Sequence, residues 1–186
     1  SSPWVTSVGS TLVKKNIKNI KDKNIKTLFC KKYNCVKGKK EYGVNYDYAG
    51  WTSGSGFSNY QKIPYWQKHV VKKYLKSGVK LPNNFNKNGR AYPDISVVGH
   101  NCGVFNYGFL ESIDGTSCSS PLFAGIVSLL NKYQLNRGKP KLGFINPILY
   151  KIYKNNIFND IKVGYNWCSD QKCCSSKNNK SQYGYM

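Results

Sequence analysis

Ile113-Asp114-Gly115-Thr116-Ser117-Cys118-Ser119-Ser120-Pro121-Leu122-Phe123-Ala124-Gly125-Ile126-Val127-Ser128-Leu129-Leu130 is the stretch on which the reading of this chain turns. A glycine and a cluster of hydroxyl residues run into a proline, and an apolar run follows. Proline suits the first turn of a helix, where its missing N–H is no loss. From Leu122 to Leu130 seven of nine residues are apolar, with no polar stripe. That pattern predicts a helix buried on all sides. Ser117 then sits at the helix mouth, among unpaired backbone N–H groups and the positive end of the dipole. Such a place can lower a hydroxyl's pKa and hold an oxyanion. Helix capping alone accounts for some Ser and Thr here. Four hydroxyl residues with a glycine and a proline exceed what capping needs, so Ser117 is read as a nucleophile.

Outward from that stretch, 186 residues suffice for one domain with a real core, and 40% hydrophobic residues spread along the chain argue for a globular fold. No apolar run reaches the about 18 residues that would suggest a membrane span. The chain starts Ser1-Ser2-Pro3-Trp4, without an initiator Met or a signal-like segment, and so reads as a piece of a longer polypeptide. The net charge of +21 invites a nucleic-acid reading. Against it, only Arg90 and Arg137 of the 29 basic residues are Arg, and Arg supplies the fork that reads phosphates and bases. The lysines are scattered, so no specific nucleic-acid partner is expected. Any polyanion binding through them would be weak and salt-sensitive.

Seven cysteines are present: Cys30, Cys35, Cys102, Cys118, Cys168, Cys173 and Cys174. The last three lie in a polar tail with no His nearby and no C-x-x-C pair, which favours a disulfide over zinc and an oxidising compartment. Cys30 and Cys35 suit a small closed loop within the Lys- and Asn-rich stretch of residues 14–42, read as an insertion. Asn179-Lys180-Ser181 is a glycosylation sequon.

Trp4 to Leu12 reads as a buried strand and turn. Ala49 to Tyr60 is rich in Gly and Ser, suited to a loop whose backbone approaches something closely. Ile63-Pro64 opens a predicted helix to Ser77, stopped by Gly78. Arg90 to Gly99 gives a turn and a short strand. Asn101 to Asp114 predicts a hairpin around Asn106-Tyr107-Gly108. Arg137 to Pro140 is a stop signal for the helix after Ser117. Asn146, as N-cap, and Pro147 open another helix. Strands alternating with helices argue for an α/β fold with a mostly parallel sheet.

Gly115-Thr116-Ser117-x-Ser119-x-Pro121 followed by Phe123-Ala124-Gly125 resembles the nucleophile motif of the sedolisin (serine-carboxyl) peptidases, whose animal member is tripeptidyl-peptidase I. Subtilisins share the Gly-Thr-Ser element. Four further stretches favour sedolisins, in the family's order: Ser2 to Gly9, Gly54 to Ser58, Gly89 to Ile95 and Leu142 to Tyr150. The resemblance spans most of the chain, apart from the Lys-rich insertion and the tail.

The resemblance implies a subtilisin-like α/β fold and peptide hydrolysis at acid pH in a lysosomal or secreted setting. The family's catalytic set is a Ser with a Glu and an Asp, plus an oxyanion-hole Asp. A carboxylate base works where His would be protonated. Carried over, Ser117 is the nucleophile, and Gly54, Ser55 and Gly56 belong to the Gly-rich stretch assigned to substrate binding. The family's Glu and both Asp residues lie upstream of the segment where this chain begins. The implied partners are therefore a peptide substrate and the N-terminal remainder of the catalytic domain, and the chain alone should be nearly inert. The family also implies a Ca²⁺ site. Asp160 and the Ile161 carbonyl match its first ligands, and Gln182 and Gly184 fall in its last ligand segment. The closing Asp of that segment is not in the chain. A hard cation wants about six oxygens, so calcium affinity should be damaged. Cys118 is a secondary nucleophile candidate. Two rival readings remain: a subtilisin-like Ser-His-Asp hydrolase using His100, 17 residues before Ser117, and an inactive basic remnant that binds a polyanion.

Overall fold

The computed structural model describes residues 2–13, 41–79, 81, 84–153 and 157–166. Its elements run β1 (Val8–Val13), β2 (Glu41–Gly43), α1 (Tyr46–Ala49), β3 (Gly56–Lys62), α2 (Lys68–Leu75), β4 (Gly89–Tyr92), β5 (Ile95–Val98), β6 (Cys102–Asn106), β7 (Phe109–Ile113), α3 (Thr116–Leu135) and α4 (Asn146–Ile152). The Lys-rich stretch up to residue 40, with Cys30 and Cys35, and the cysteine tail with the sequon lie outside the described residues.

β1 is the hub. It pairs in parallel with β5, Val8 opposite Ile95 through Thr11 opposite Val98, and antiparallel with β2. The β-branched, apolar run predicted as a buried strand is buried from Gly9 to Leu12. β3 pairs with β4, and β6 with β7, each antiparallel in a separate two-stranded sheet. The expected mostly parallel sheet is thus not what the described residues form: one strand pair is parallel and three are antiparallel. Strand–helix alternation, from which it was inferred, does not distinguish a crossover from a hairpin.

The hairpin forms where expected. Tyr107 and Gly108 both take positive φ, 46° and 82°, which suits the two-residue turn between twisted strands. The helix expected from Ile63-Pro64 begins at Lys68, after a turn over residues 65–67. Asn146 is not the N-cap of α4. It is the first helical residue, and its side chain turns into the core instead.

The largest departure concerns α3. It packs against β1 and β5. Cys118, Ser119 and Phe123 are buried, but Leu122, Ile126, Leu129 and Leu130 are exposed, Leu129 to 69%. The expectation of a helix buried on all sides therefore fails for the described residues. Composition reports that a helix is apolar all round; it does not report which neighbours are present to cover each face.

Beneath β4, a polar cluster joins segments distant in sequence. Asp94 forms an ion pair with Arg90, both side chains 1% exposed. Asp94 also accepts hydrogen bonds from the Ser7 N–H (2.8 Å) and the Tyr150 hydroxyl (2.9 Å). Gln67 donates to Tyr150 and to the Ala91 carbonyl, both at 2.7 Å, and accepts from the Ala91 N–H. Asn146 donates to the Val5 carbonyl. Burial, and next the Asp94 charge, push the Tyr150 hydroxyl well above its ordinary pKa. No helix of the described residues is long and apolar enough to cross a membrane.

Candidate active site

Gly115 brings the chain out of the hairpin with φ 140° and ψ 161°, and α3 starts at the next residue. Positive φ is open to glycine and strained for other residues, which explains a glycine at this step. Ser117 is the second residue of α3 and is exposed. Its Oγ makes no hydrogen bond among the described residues. Pro121 lies inside the helix rather than in its first turn, because α3 begins five residues earlier. Proline has no N–H to give the carbonyl four residues back, and that carbonyl belongs to Ser117. The turn carrying Ser117 also has no side-chain cap. The expectation that Ser117 stands at a helix mouth holds, with the helix wound past it.

The residues around Ser117 are held firmly. Gly115 N–H donates to the Gly99 carbonyl at 2.8 Å. Ser119, fully buried, places its hydroxyl 2.7 Å from that of Ser10 and 3.1 Å from the Val97 carbonyl. Cys118 forms a disulfide with Cys102, Cα to Cα 6.5 Å. This bond removes Cys118 as a candidate nucleophile, since a disulfide sulfur carries no thiolate. Sequence reasoning missed it, although the signal was there. The hairpin sets Cys102 opposite Ile113, so the first turn of the next helix returns to Cys102.

His100 follows β5. Its Nδ1 lies 2.9 Å from Asp114 Oδ1, but the two are not aligned as a hydrogen bond. Asp114 Oδ1 instead accepts from the Asn101 N–H at 2.7 Å. No hydrogen bond joins His100 to Ser117 among the described residues.

Gly54, Ser55 and Gly56 lead into β3. Gly54 has φ 73° and open space where a Cβ would stand; a Cβ on Gly56 would lie 2.7 Å from the Tyr92 hydroxyl. Ser55 Oγ is buried without a partner. No hydrogen bond links this stretch to Ser117 among the described residues. Of the calcium candidates, Asp160 and Ile161 are described and exposed, while Gln182 and Gly184 lie outside the described residues. Among the described residues no three metal-ligating side chains gather. Among the described residues, Asp160 and the Ile161 carbonyl are two of the about six oxygens that calcium takes.

The chain is 41% identical to physarolisin of Physarum polycephalum over 179 residues, 94% of this chain and 31% of that protein. It is 35% identical to tripeptidyl-peptidase 1 of Rattus norvegicus (85% and 24% covered) and 31% identical to the Homo sapiens protein (92% and 27%). The chain belongs to the sedolisin family. Its fold is the sedolisin fold: a Pseudomonas sedolisin complexed with pseudo-iodotyrostatin superposes with a TM-score of 0.60 at 24% identity, over 89% of this chain and 40% of that one. No family model matches the chain. This sedolisin-family chain spans less than a third of the length of these curated relatives.

Proposed function

We propose that this chain is the serine-bearing portion of a peptidase that hydrolyses peptide bonds at acid pH, with Ser117 as nucleophile. The observation that carries the reading is the contrast at the start of α3. Ser117 is exposed with a free Oγ, while Cys118, Ser119 and Gly115 around it are pinned. Fixed backbone beside a free hydroxyl is what a nucleophile at a helix N-terminus requires.

The base is a carboxylate pair from polypeptide upstream of residue 1, and the same polypeptide covers the exposed face of α3. Apolar side chains such as Leu122, Ile126 and Leu129 on one helix support that second role. The setting is an acidic, oxidising compartment, lysosomal or extracellular, in keeping with a buried disulfide. Gly54 to Gly56 contribute to the substrate cleft.

In the full-length protein, Ser117→Ala should lower peptide hydrolysis at acid pH by roughly 10³-fold or more, since loss of the nucleophile removes the covalent route. Full activity of that variant refutes the proposal.

A second reading draws on the His100–Asp114 contact: a Ser-His-Asp hydrolase. It requires a neutral pH optimum and loss of activity in His100→Ala. The carboxylate mechanism requires an acidic optimum and retained activity in that variant.

A further inference from the structure

We infer that the Cys102–Cys118 disulfide positions Ser117 for attack, beyond any bracing of the domain; the inference rests on Ser117 being the nucleophile. The first turn of α3 lacks two ordinary supports. Gly115 offers no side-chain cap, and Pro121 leaves the Ser117 carbonyl without its partner one turn on. What holds that turn comes from two directions. On the sheet side, Ser119 is bonded to Ser10 and to the Val97 carbonyl, and Gly115 to the Gly99 carbonyl. On the hairpin side, the hold is the disulfide from Cys118 to Cys102, the first residue of β6.

The root of the hairpin is itself fixed where the disulfide meets it. Asn101 N–H donates to Asp114, Ser112 donates to Asn101, and His100 faces Asp114. Both cysteines are buried, at 9% and 6% exposure, beneath an exposed Ser117. Cys118 is the residue after Ser117, so any swing of its Cα carries the Ser117 Oγ with it. Without the disulfide the nucleophile is restrained from the sheet side, and the helix start gains freedom to roll toward the hairpin. A misplacement of about 1 Å is enough to cost on the order of 10² in rate.

The test uses the full-length protein carrying Cys102→Ala with Cys118→Ala. The expected result is a kcat about 10- to 100-fold lower, with KM essentially unchanged. A peptide aldehyde, which must be attacked by the serine hydroxyl, should weaken in proportion to kcat. The matching peptide alcohol, which makes the same contacts without a bond to Ser117, should bind as before. Unchanged kcat overturns the inference. So does a parallel weakening of aldehyde and alcohol, which reports general loosening instead.

If the double variant does not fold, the wild-type protein is treated with a phosphine in water; the phosphine gives two electrons to the disulfide and becomes its oxide, and one water supplies the oxide oxygen and the two thiol protons. Activity is read first, and thiols are then trapped and mapped by peptide. Loss of kcat that tracks reduction of Cys102 and Cys118 supports the inference, and full kcat with that pair reduced overturns it. The underlying reading fails separately, by a Ser117→Ala variant that keeps wild-type kcat.

Discussion

The hydroxyl of Ser119 lies 2.7 Å from that of Ser10, buried between α3 and β1. The two residues are 109 apart in sequence, so this contact closes the fold around the candidate nucleophile. Ser119 reaches the Val97 carbonyl as well, at 3.1 Å. Ser119→Ala leaves buried acceptors short of a donor, which costs about 1–3 kcal/mol. Chemical denaturation of the full-length protein should show that loss, and a change within experimental error would show the contact to be idle.

Gly99 sits against the same pair. A Cβ there would come within 2.3 Å of both the Ser10 and Ser119 hydroxyls and 2.8 Å from the Gly115 carbonyl. Hydroxyls can turn aside, but the Gly115 carbonyl is backbone at the start of α3. Gly99→Ala should therefore destabilise by about 1–3 kcal/mol, the usual cost of overpacking. Removing the Ser119 hydroxyl frees part of that space. Gly99→Ala with Ser119→Ala should then cost less than the sum of the two single changes, and strict additivity would contradict the packing described.

Asp94 gathers the N-terminal segment, β4 and α4 around one buried carboxylate. Neutralising one member strands the other. Asp94→Asn or Arg90→Met should each cost about 3–5 kcal/mol, because an uncompensated charge stays buried. The double change should cost less than the two together. A thermal or denaturant midpoint that barely moves in either single variant would be inconsistent with this geometry.

Tyr150 carries a pH consequence. Its hydroxyl holds its proton more tightly in the folded chain, chiefly through burial and then through Asp94. Stability from this source is complete below the ordinary tyrosine pKa of about 10 and is lost as pH rises above it. Tyr150→Phe should be less stable than wild type near neutrality by about 1–2 kcal/mol, for the lost hydrogen bonds. The two stability curves should converge above about pH 10. Curves that stay parallel would show that the hydroxyl does not titrate against the fold.

The amino-acid order by itself determined the local turns and the chemistry-bearing motif. Gly115 before a helix, Tyr107-Gly108 between two strands and the apolar run after Pro121 each act over a few residues, where backbone sterics and periodicity decide the outcome. The position of Ser117 at the start of α3 was legible for the same reason. What only the tertiary structure decided depends on partners far off in the chain. The Cys102–Cys118 bond needs the hairpin and the helix start to be placed together. Asn146 turns inward because Thr6, Val5 and Asp94 offer it better bonds than a helix end does. The faces of α3 that are covered are those that meet β1 and β5. An apolar residue carries its hydrophobicity in its own side chain, but burial is a property of its neighbours, and those are set only when the chain has folded.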